Sequence, residues 1–362
     1  MVEVCPAEAS GSRAALHVLV AGVAEDGEAA VQLVVVAGDG VGGVLGEVGV
    51  VGQRDPSPRP RDPAACPPAA PSAVPPLAVV APVDRELPVA VFDSGVGGLT
   101  VLHECLVSLP HEDFLYLGDT ARFPYGDRSQ EELREFAREL AGILLARGAK
   151  LLVVACNAAT AAALPVLRDE LDGRLPVVGV VRPESRLAAA ATRNGRVGLI
   201  ATPVTVASGA YARALAEAAP TAELHAVASA ELAPLIQEGV DVDHRVVSCV
   251  EGLCRPLRAA AVDTVILGCT HYPLVRPVLQ RALGRGVAIV SSGEAMADEV
   301  DRRLHEAGLA NDADRRGDYR FLATGEPQEF RRLGTRFLQL PIGDVEHVEV
   351  GAPVGRRGRA AA

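Results

Sequence analysis

Residues 88–108 read PVAVFDSGVGGLTVLHECLVS and contain the structural unit that the rest of the chain repeats. A short apolar run ends at Asp93, a glycine-rich turn follows, and the next residues have the apolar spacing of a helix. The same order recurs along the chain, with strand segments DFLYLGD, KLLVVACN, LPVVGVV, RVGLIAT, AELHAVA, DTVILGCTH and VAIVSS. Strands that alternate with helices form parallel sheets covered on both faces. We therefore predict an α/β protein with two lobes.

The first quarter of the chain differs in composition from the rest. No aromatic residue precedes Phe92, and residues 56–88 hold 11 of the 26 prolines. A segment with this composition is poorly equipped to form a core and favours an extended linker. A G-x-G-x-x-G match at residues 38–43 lacks the following helix that a dinucleotide site needs, and we interpret it as a chance match. The predicted organisation is a low-complexity, disordered extension at 1–86, a first lobe at 87–181 and 293–341, a second lobe at 182–292 and a tail at 342–362.

Charge and cysteine usage exclude several classes of function. The formal net charge of −11 argues against nucleic-acid or membrane-surface binding, because both need clustered cations. No run of 18 apolar residues is present to span a membrane. The seven cysteines are widely spaced, which favours reduced thiols in the cytoplasm over a disulfide framework.

Two cysteines lie at equivalent points of the pattern, each at the end of a buried-type strand. VVACN ends in Cys156-Asn157, and ILGCT ends in Cys269-Thr270. Two opposed thiols suit the inversion of a carbon that bears a hydrogen, since one group removes the proton and the other delivers a proton to the opposite face. Three alternatives stay open at this point: buried packing cysteines, a zinc site formed with His271, and a phosphate held by the glycine turn.

The neighbouring residues offer ways to activate these thiols. Cys156 leads into a predicted helix, whose N-terminus stabilises a thiolate, and a cationic His271 would do the same for Cys269. Ser94, Asn157, Thr270 and the backbone N–H groups of the glycine turn could stabilise charge on a carbanionic intermediate. Lys150 is the sole lysine and begins a strand away from these clusters, which argues against a pyridoxal-phosphate enzyme.

The segments FDSGVGGLTV, YLGDTARFPYG, VVACN, GLIAT and LGCTHYPL occur in an order and spacing that resemble the glutamate racemases, over roughly residues 88–340. The resemblance implies a cofactor-independent isomerase that interconverts L- and D-glutamate for bacterial peptidoglycan, with two pseudo-symmetric lobes and the active site in the cleft between them. It implies that Cys156 acts on D-glutamate and Cys269 on L-glutamate, with electrostatic assistance from Asp93, Asp119 and His271. The implied substrate contacts are Asp93, Ser94, Tyr125, Gly126, Asn157, Ala158, Thr270 and His271.

The chain departs from the usual family pattern at three places. Ala158 replaces a Thr or Ser and so lacks a hydroxyl, residues 181–184 read Val-Arg-Pro-Glu where Ile-Glu-Pro-Gly is commoner, and Gln237 stands where a Glu is expected. Two other functions remain as alternatives: a racemase for aspartate or another amino acid, and a non-catalytic protein like the relatives that bind DNA gyrase. A homodimer is left open, because interfaces in such folds carry no local motif.

Overall fold

A computed structural model describes residues 83–171, 174–238, 243–311 and 314–351, together with the backbone of two strands nearer the N-terminus, β1 (Leu16–Val23) and β2 (Ala30–Ala37). These two strands lie within the segment 1–86, which we predicted as a disordered extension. Its residues 1–15, 24–29 and 38–82, which include the glycine-rich match at 38–43, lie outside the described residues.

The first lobe is built on a six-stranded parallel sheet. Its strands, in spatial order, are β12 (Val345–His347), β11 (Tyr319–Ala323), β4 (Phe114–Gly118), β3 (Val89–Asp93), β5 (Leu151–Val154) and β6 (Val177–Gly179). Its helices are α1 (Leu99–Ser108), α2 (Gln130–Ala146), α3 (Asn157–Glu170), α10 (Ser292–Glu306) and α11 (Pro327–Leu338).

Alternating side chains of this sheet enter two separate apolar cores. On one face, Ala90, Phe92 and Leu117 pack with residues of α2 and α3. On the other face, Val89 and Val91 pack with residues of α1, α10 and α11. The period of two along each strand explains this division, and burial on both faces explains the continuous apolar runs in the sequence.

The second lobe contains a four-stranded parallel sheet, extended at one edge by the antiparallel strands β1 and β2. The parallel strands, in spatial order, are β10 (Ala288–Val290), β9 (Thr264–Gly268), β7 (Arg196–Ala201) and β8 (Glu223–Ala228). The helices are α4 (Val181–Ala191), α5 (Pro203–Ala207), α6 (Ala210–Ala218), α7 (Leu232–Gln237), α8 (His244–Ala259) and α9 (Arg276–Leu283), with a 3₁₀ turn at Tyr272–Val275.

The predicted fold class of two α/β lobes is confirmed, and so are several local details. Ser129 caps α2 in a capping box with Glu132, and Gly148 follows the helix with φ +82°. β11 returns the chain to the first lobe, where it lies beside β4. The segment 342–362, which we predicted as a tail, contributes β12 to the edge of the first sheet.

A helix that crosses a bilayer needs a long and continuously apolar stretch. No helix in the described part of the chain is both long enough and apolar enough.

Candidate active site

One cavity lies between the two lobes, at the carboxyl ends of strands from both sheets. Ser94 follows β3, Cys156 follows β5, Thr202 follows β7 and Cys269 follows β9. Ligands bind outside the carboxyl ends of the strands in open α/β sheets, so this cavity is the candidate site. Its lining residues are Ser94, Phe123, Pro124, Tyr125, Gly126, Asp127, Cys156, Asn157, Ala158, Thr202, Ala230, Ala233, Pro234, Gly268, Cys269, Thr270 and His271.

Cys156 is the N-cap residue of α3, as the sequence predicted. Its Sγ accepts a hydrogen bond from the backbone N–H of Ala159 at 3.5 Å. The side chain is buried, and burial raises the pKa of the thiol to about 12, with a further upward contribution from the negative charge of Asp93. The Ala159 hydrogen bond opposes this pKa shift without cancelling it. The helix N-terminus therefore offsets only part of the cost of burying a thiolate.

Cys269 lines the same cavity as Cys156, and its Sγ contacts the side chain of His271. His271 Nδ1 is 3.9 Å from Cys269 Sγ, and His271 Nε2 donates to Gln237 Oε1 at 2.9 Å. Burial raises the pKa of the Cys269 thiol well above its ordinary range. Burial also lowers the pKa of His271 to about 3. The expectation of a cationic His271 is therefore wrong: a buried imidazole facing an amide and two aromatic rings, those of Phe123 and Phe337, is neutral at pH 7.

Asp93 joins the two lobes beside the thiols. Its Oδ1 accepts from the backbone N–H of Gly95 at 2.9 Å, and its Oδ2 accepts from the hydroxyl of Thr270 at 3.2 Å. Burial raises the pKa of this carboxyl to about 6, although these hydrogen bonds favour the ionised form. The turn after Asp93 requires glycine, because a Cβ at Gly97 would lie 2.4 Å from His271 Nδ1.

Asp119 is fully buried and does not line the cavity. Its carboxylate accepts from the Tyr125 hydroxyl, from Arg122 Nε at 2.6 Å and from the Thr324 hydroxyl at 2.7 Å. The Arg122 guanidinium lies over the ring of Phe136, 4.2 Å from its centroid. This geometry places Asp119 beneath Tyr125, where it holds a lining side chain in place.

A second buried carboxyl group lies behind Asn157. Glu184, in the first turn of α4, accepts from Asn157 Nδ2 at 3.1 Å, from Ser292 Oγ at 2.5 Å and from the hydroxyl of Tyr211. Burial raises the pKa of Glu184 to about 8, against the effect of these three hydrogen bonds. Neither Glu184 nor Tyr211 lines the cavity.

The structure brings most of the predicted site residues to one place. Ser94, Tyr125, Gly126, Cys156, Asn157, Ala158, Cys269, Thr270 and His271 line the cavity, whereas Asp93 and Asp119 lie behind its wall. Sequence reasoning missed the lining residues Phe123, Pro124, Asp127, Thr202, Ala230, Ala233, Pro234 and Gly268. Thr202 could have been predicted from the sequence, because it is a polar residue directly after β7. The alanines after β8 carry no sequence signal of a site.

The zinc alternative requires a cluster of metal-binding side chains. In the described parts of the chain, no group of three or more His, Cys, Asp or Glu side chains is arranged to hold an ion. The lining residues of the cavity include no Arg or Lys.

Comparison with known proteins identifies the family of the chain. The family model described as Asp/Glu/Hydantoin racemase matches residues 101–300. A glutamate racemase of Corynebacterium kroppenstedtii is 43% identical over 284 residues, which cover 73% of this chain and 98% of the relative. A glutamate racemase of Beutenbergia cavernae is 46% identical over 282 residues, which cover 75% of this chain and 96% of the relative.

Solved structures give the same result for the fold. A glutamate racemase isoform of Bacillus anthracis has a TM-score of 0.70 at 37% identity, with 75% of this chain and 100% of that chain covered. A glutamate racemase of Francisella tularensis, solved in complex with D-glutamate, has a TM-score of 0.68 at 31% identity, with 73% and 98% covered. The resemblance seen in the sequence motifs is thereby confirmed. The chain belongs to the Asp/Glu/Hydantoin racemase family and, within it, to the glutamate racemases, which are isomerases.

Proposed function

We propose that this chain interconverts L- and D-glutamate, with Cys156 and Cys269 as the two acid/base groups and no cofactor. The observation that carries the proposal is the placement of the two thiols: each follows a strand of a different lobe, and both line one cavity. A pair of acid/base groups on opposite sides of a substrate is what inversion at Cα requires.

The proposed step begins with one cysteine as thiolate and the other as thiol. The thiolate takes the Cα proton, the electron pair of the broken C–H bond delocalises into the α-carboxylate, and the second thiol delivers a proton to the opposite face of Cα. Cys156 would accept the proton from D-glutamate and Cys269 from L-glutamate. At the end of the step the two cysteines have exchanged protonation states, so the reverse reaction starts from the product complex.

The charge balance of the cavity indicates how a thiolate could form. Burial raises the pKa of both thiols, and no Arg or Lys is among the lining residues. The substrate itself brings a cation, its α-ammonium group. We infer that binding of this ammonium beside Asp93 and the thiols supplies the positive charge that stabilises one thiolate. Neutral His271 would serve Cys269 as a hydrogen-bond acceptor through Nδ1.

Substrate contacts would come from the polar lining residues of both lobes. Ser94 and Thr270 line the cavity and carry hydroxyl groups that can contact a substrate carboxylate. Ala158 provides only its backbone N–H, since its side chain has no hydroxyl. Tyr125 and Gly126 also line the cavity.

The test is racemisation by the purified full-length protein in D₂O. Circular dichroism would follow the loss of optical activity from L-glutamate and from D-glutamate, while mass spectrometry measures deuterium at Cα. We expect racemisation of both enantiomers with deuterium in the product. Faster turnover of aspartate or of a hydantoin would favour the alternative substrates, and no turnover of any of them would favour a non-catalytic protein. The curated relatives do not favour either alternative.

The cellular setting follows from the reaction. We propose that the product D-glutamate serves peptidoglycan precursor synthesis in the cytoplasm, where the free thiols that the reaction needs stay reduced. We retain a homodimer as the oligomeric hypothesis, and light scattering of the purified protein distinguishes it from a monomer.

A further inference from the structure

Asn157 lines the cavity, and its side chain also hydrogen-bonds to buried residues behind the cavity wall. Its Nδ2 donates to Glu184 Oε2 at 3.1 Å and to the Tyr211 hydroxyl at 2.7 Å, which uses both of its N–H groups. Its Oδ1 is buried and has no hydrogen-bond partner among the described residues. Buried acceptors are rarely left unpaired, since the loss costs about 1–3 kcal/mol. An unpaired acceptor on a residue that lines the cavity therefore points to a ligand donor.

Glu184 is one of the two acceptors that hold the Nδ2 end of this amide, the other being the Tyr211 hydroxyl. It is fully buried, and its three side-chain partners come from different helices: Asn157 begins α3, Tyr211 lies in α6 and Ser292 begins α10. Glu184 is the acceptor in all three of these hydrogen bonds, and its Oε2 accepts from Asn157 Nδ2, so the Nδ2 end of the amide faces Glu184 and the Oδ1 end faces away from it. Glu184 also belongs to the Val-Arg-Pro-Glu segment in which this chain departs from the usual family text.

We propose that Glu184 is a positioning residue that turns Asn157 Oδ1 toward the cavity, where this oxygen accepts a hydrogen bond from the α-ammonium group of the substrate. The inference rests on the proposed function, because it assigns one end of the amino-acid substrate to one atom of the site. An amide in the opposite orientation would present N–H groups and would bind a carboxylate instead.

The two orientations predict different kinetics. The charge of the α-ammonium does not change when the Cα proton leaves, so a contact to it stabilises ground state and transition state equally and affects KM. The α-carboxylate gains charge in the transition state, so a contact to it affects kcat. Comparing the change in KM with the change in kcat therefore distinguishes the two orientations of the Asn157 amide.

The experiment compares Glu184→Leu with Glu184→Gln in the full-length protein. Glu184→Leu leaves the Tyr211 hydroxyl as the remaining partner of the Asn157 amide, and a hydroxyl can pair with either end of an amide, so the amide can turn. We expect KM for both enantiomers to rise about tenfold or more while kcat changes less than about threefold. Glu184→Gln keeps an oxygen toward Asn157 and can place its amide nitrogen toward the Ser292 hydroxyl, so KM should return to within about threefold of the wild type. The matched control is Glu299→Leu, the same change at a carboxylate that is 9% exposed and pairs with arginines away from Asn157.

Glutarate provides a second readout, since it has both carboxylates of glutamate and no amino group. We expect its inhibition constant to be the same for the wild type and for Glu184→Leu. An equal rise in the glutarate inhibition constant and in KM, a fall in kcat at constant KM, or no kinetic change in Glu184→Leu would each overturn the assignment. Absence of glutamate racemisation by the wild type would instead refute the proposed function.

Discussion

The ionisation of Cys156 in the free enzyme is open to direct measurement by alkylation. Iodoacetamide reacts with the thiolate, so its rate at a cysteine follows the thiolate fraction. Burial and the charge of Asp93 raise the pKa of Cys156 from 9.0 to about 12. This increase lowers the thiolate fraction about 1,000-fold at any pH below about 9. The corresponding free-energy cost of ionising the thiol in the folded protein is about 4 kcal/mol.

The assay is mass spectrometry of the peptide that contains Cys156, after timed alkylation at a series of pH values. The same peptide in protein unfolded with guanidinium is the control. We expect the rate in the native enzyme to rise tenfold per pH unit from about pH 7 to beyond pH 10, while the rate in the unfolded control levels off near pH 9.

Restricted access cannot produce this profile, because access lowers the rate by the same factor at every pH and does not move the plateau. A native profile that levels off near pH 8 or 9 would therefore contradict the reasoning. It would show that the free site already stabilises a thiolate, and the requirement for the substrate ammonium would disappear.

Three further predictions concern single features of the chain. Ala158→Thr adds a hydroxyl to the wall of the cavity, and steady-state kinetics should show a larger change in KM than in kcat; a large change in kcat at constant KM would count against a uniform binding contact. Asp119→Asn removes one of the two carboxylates that pair with the buried Arg122 guanidinium, the other being that of Glu139, and should lower the free energy of unfolding by about 1–3 kcal/mol in denaturant titrations, whereas unchanged stability would contradict a structural role for this ion pair. Protein that begins at Arg85 should retain racemase activity, because every cavity-lining residue in the described part of the chain comes after Arg85, and loss of activity would refute this.

Much of the fold could be predicted from the sequence because each strand carries its own local signal. Buried parallel strands are continuous apolar runs, and the polar residue that ends each run marks the edge where ligands bind. From this rule the sequence alone predicted Ser94, Cys156 and Cys269 as site residues, and all three line the cavity. The capping box of α2 was equally local, since Ser129 and Glu132 are three residues apart.

The remaining features depend on contacts between distant segments. Asp119 looked like a site acid because it follows β4, but Arg122, Tyr125 and Thr324 occupy its carboxylate behind the wall. Its role could not be read from position alone, because Thr324 reaches it from a strand far along the chain.

The charge of His271 and the role of Glu184 were also hidden from the sequence. The charge of His271 is set by burial, because an imidazole that packs against two aromatic rings loses its proton. No local sequence motif predicts that these rings surround it. The network around Glu184 joins side chains from α3, α4, α6 and α10. Such a network exists only once the helices have packed.

The most direct test of the two-thiol account is the racemisation of glutamate by Cys156→Ala and by Cys269→Ala, each compared with the wild type. Circular dichroism would follow optical activity from both enantiomers in D₂O, and mass spectrometry would follow deuterium at Cα. The account predicts that the wild type racemises both enantiomers with deuterium uptake and that neither variant racemises either one, because inversion needs a group on each face. Racemisation at the wild-type rate by either variant would contradict the assignment of the two cysteines.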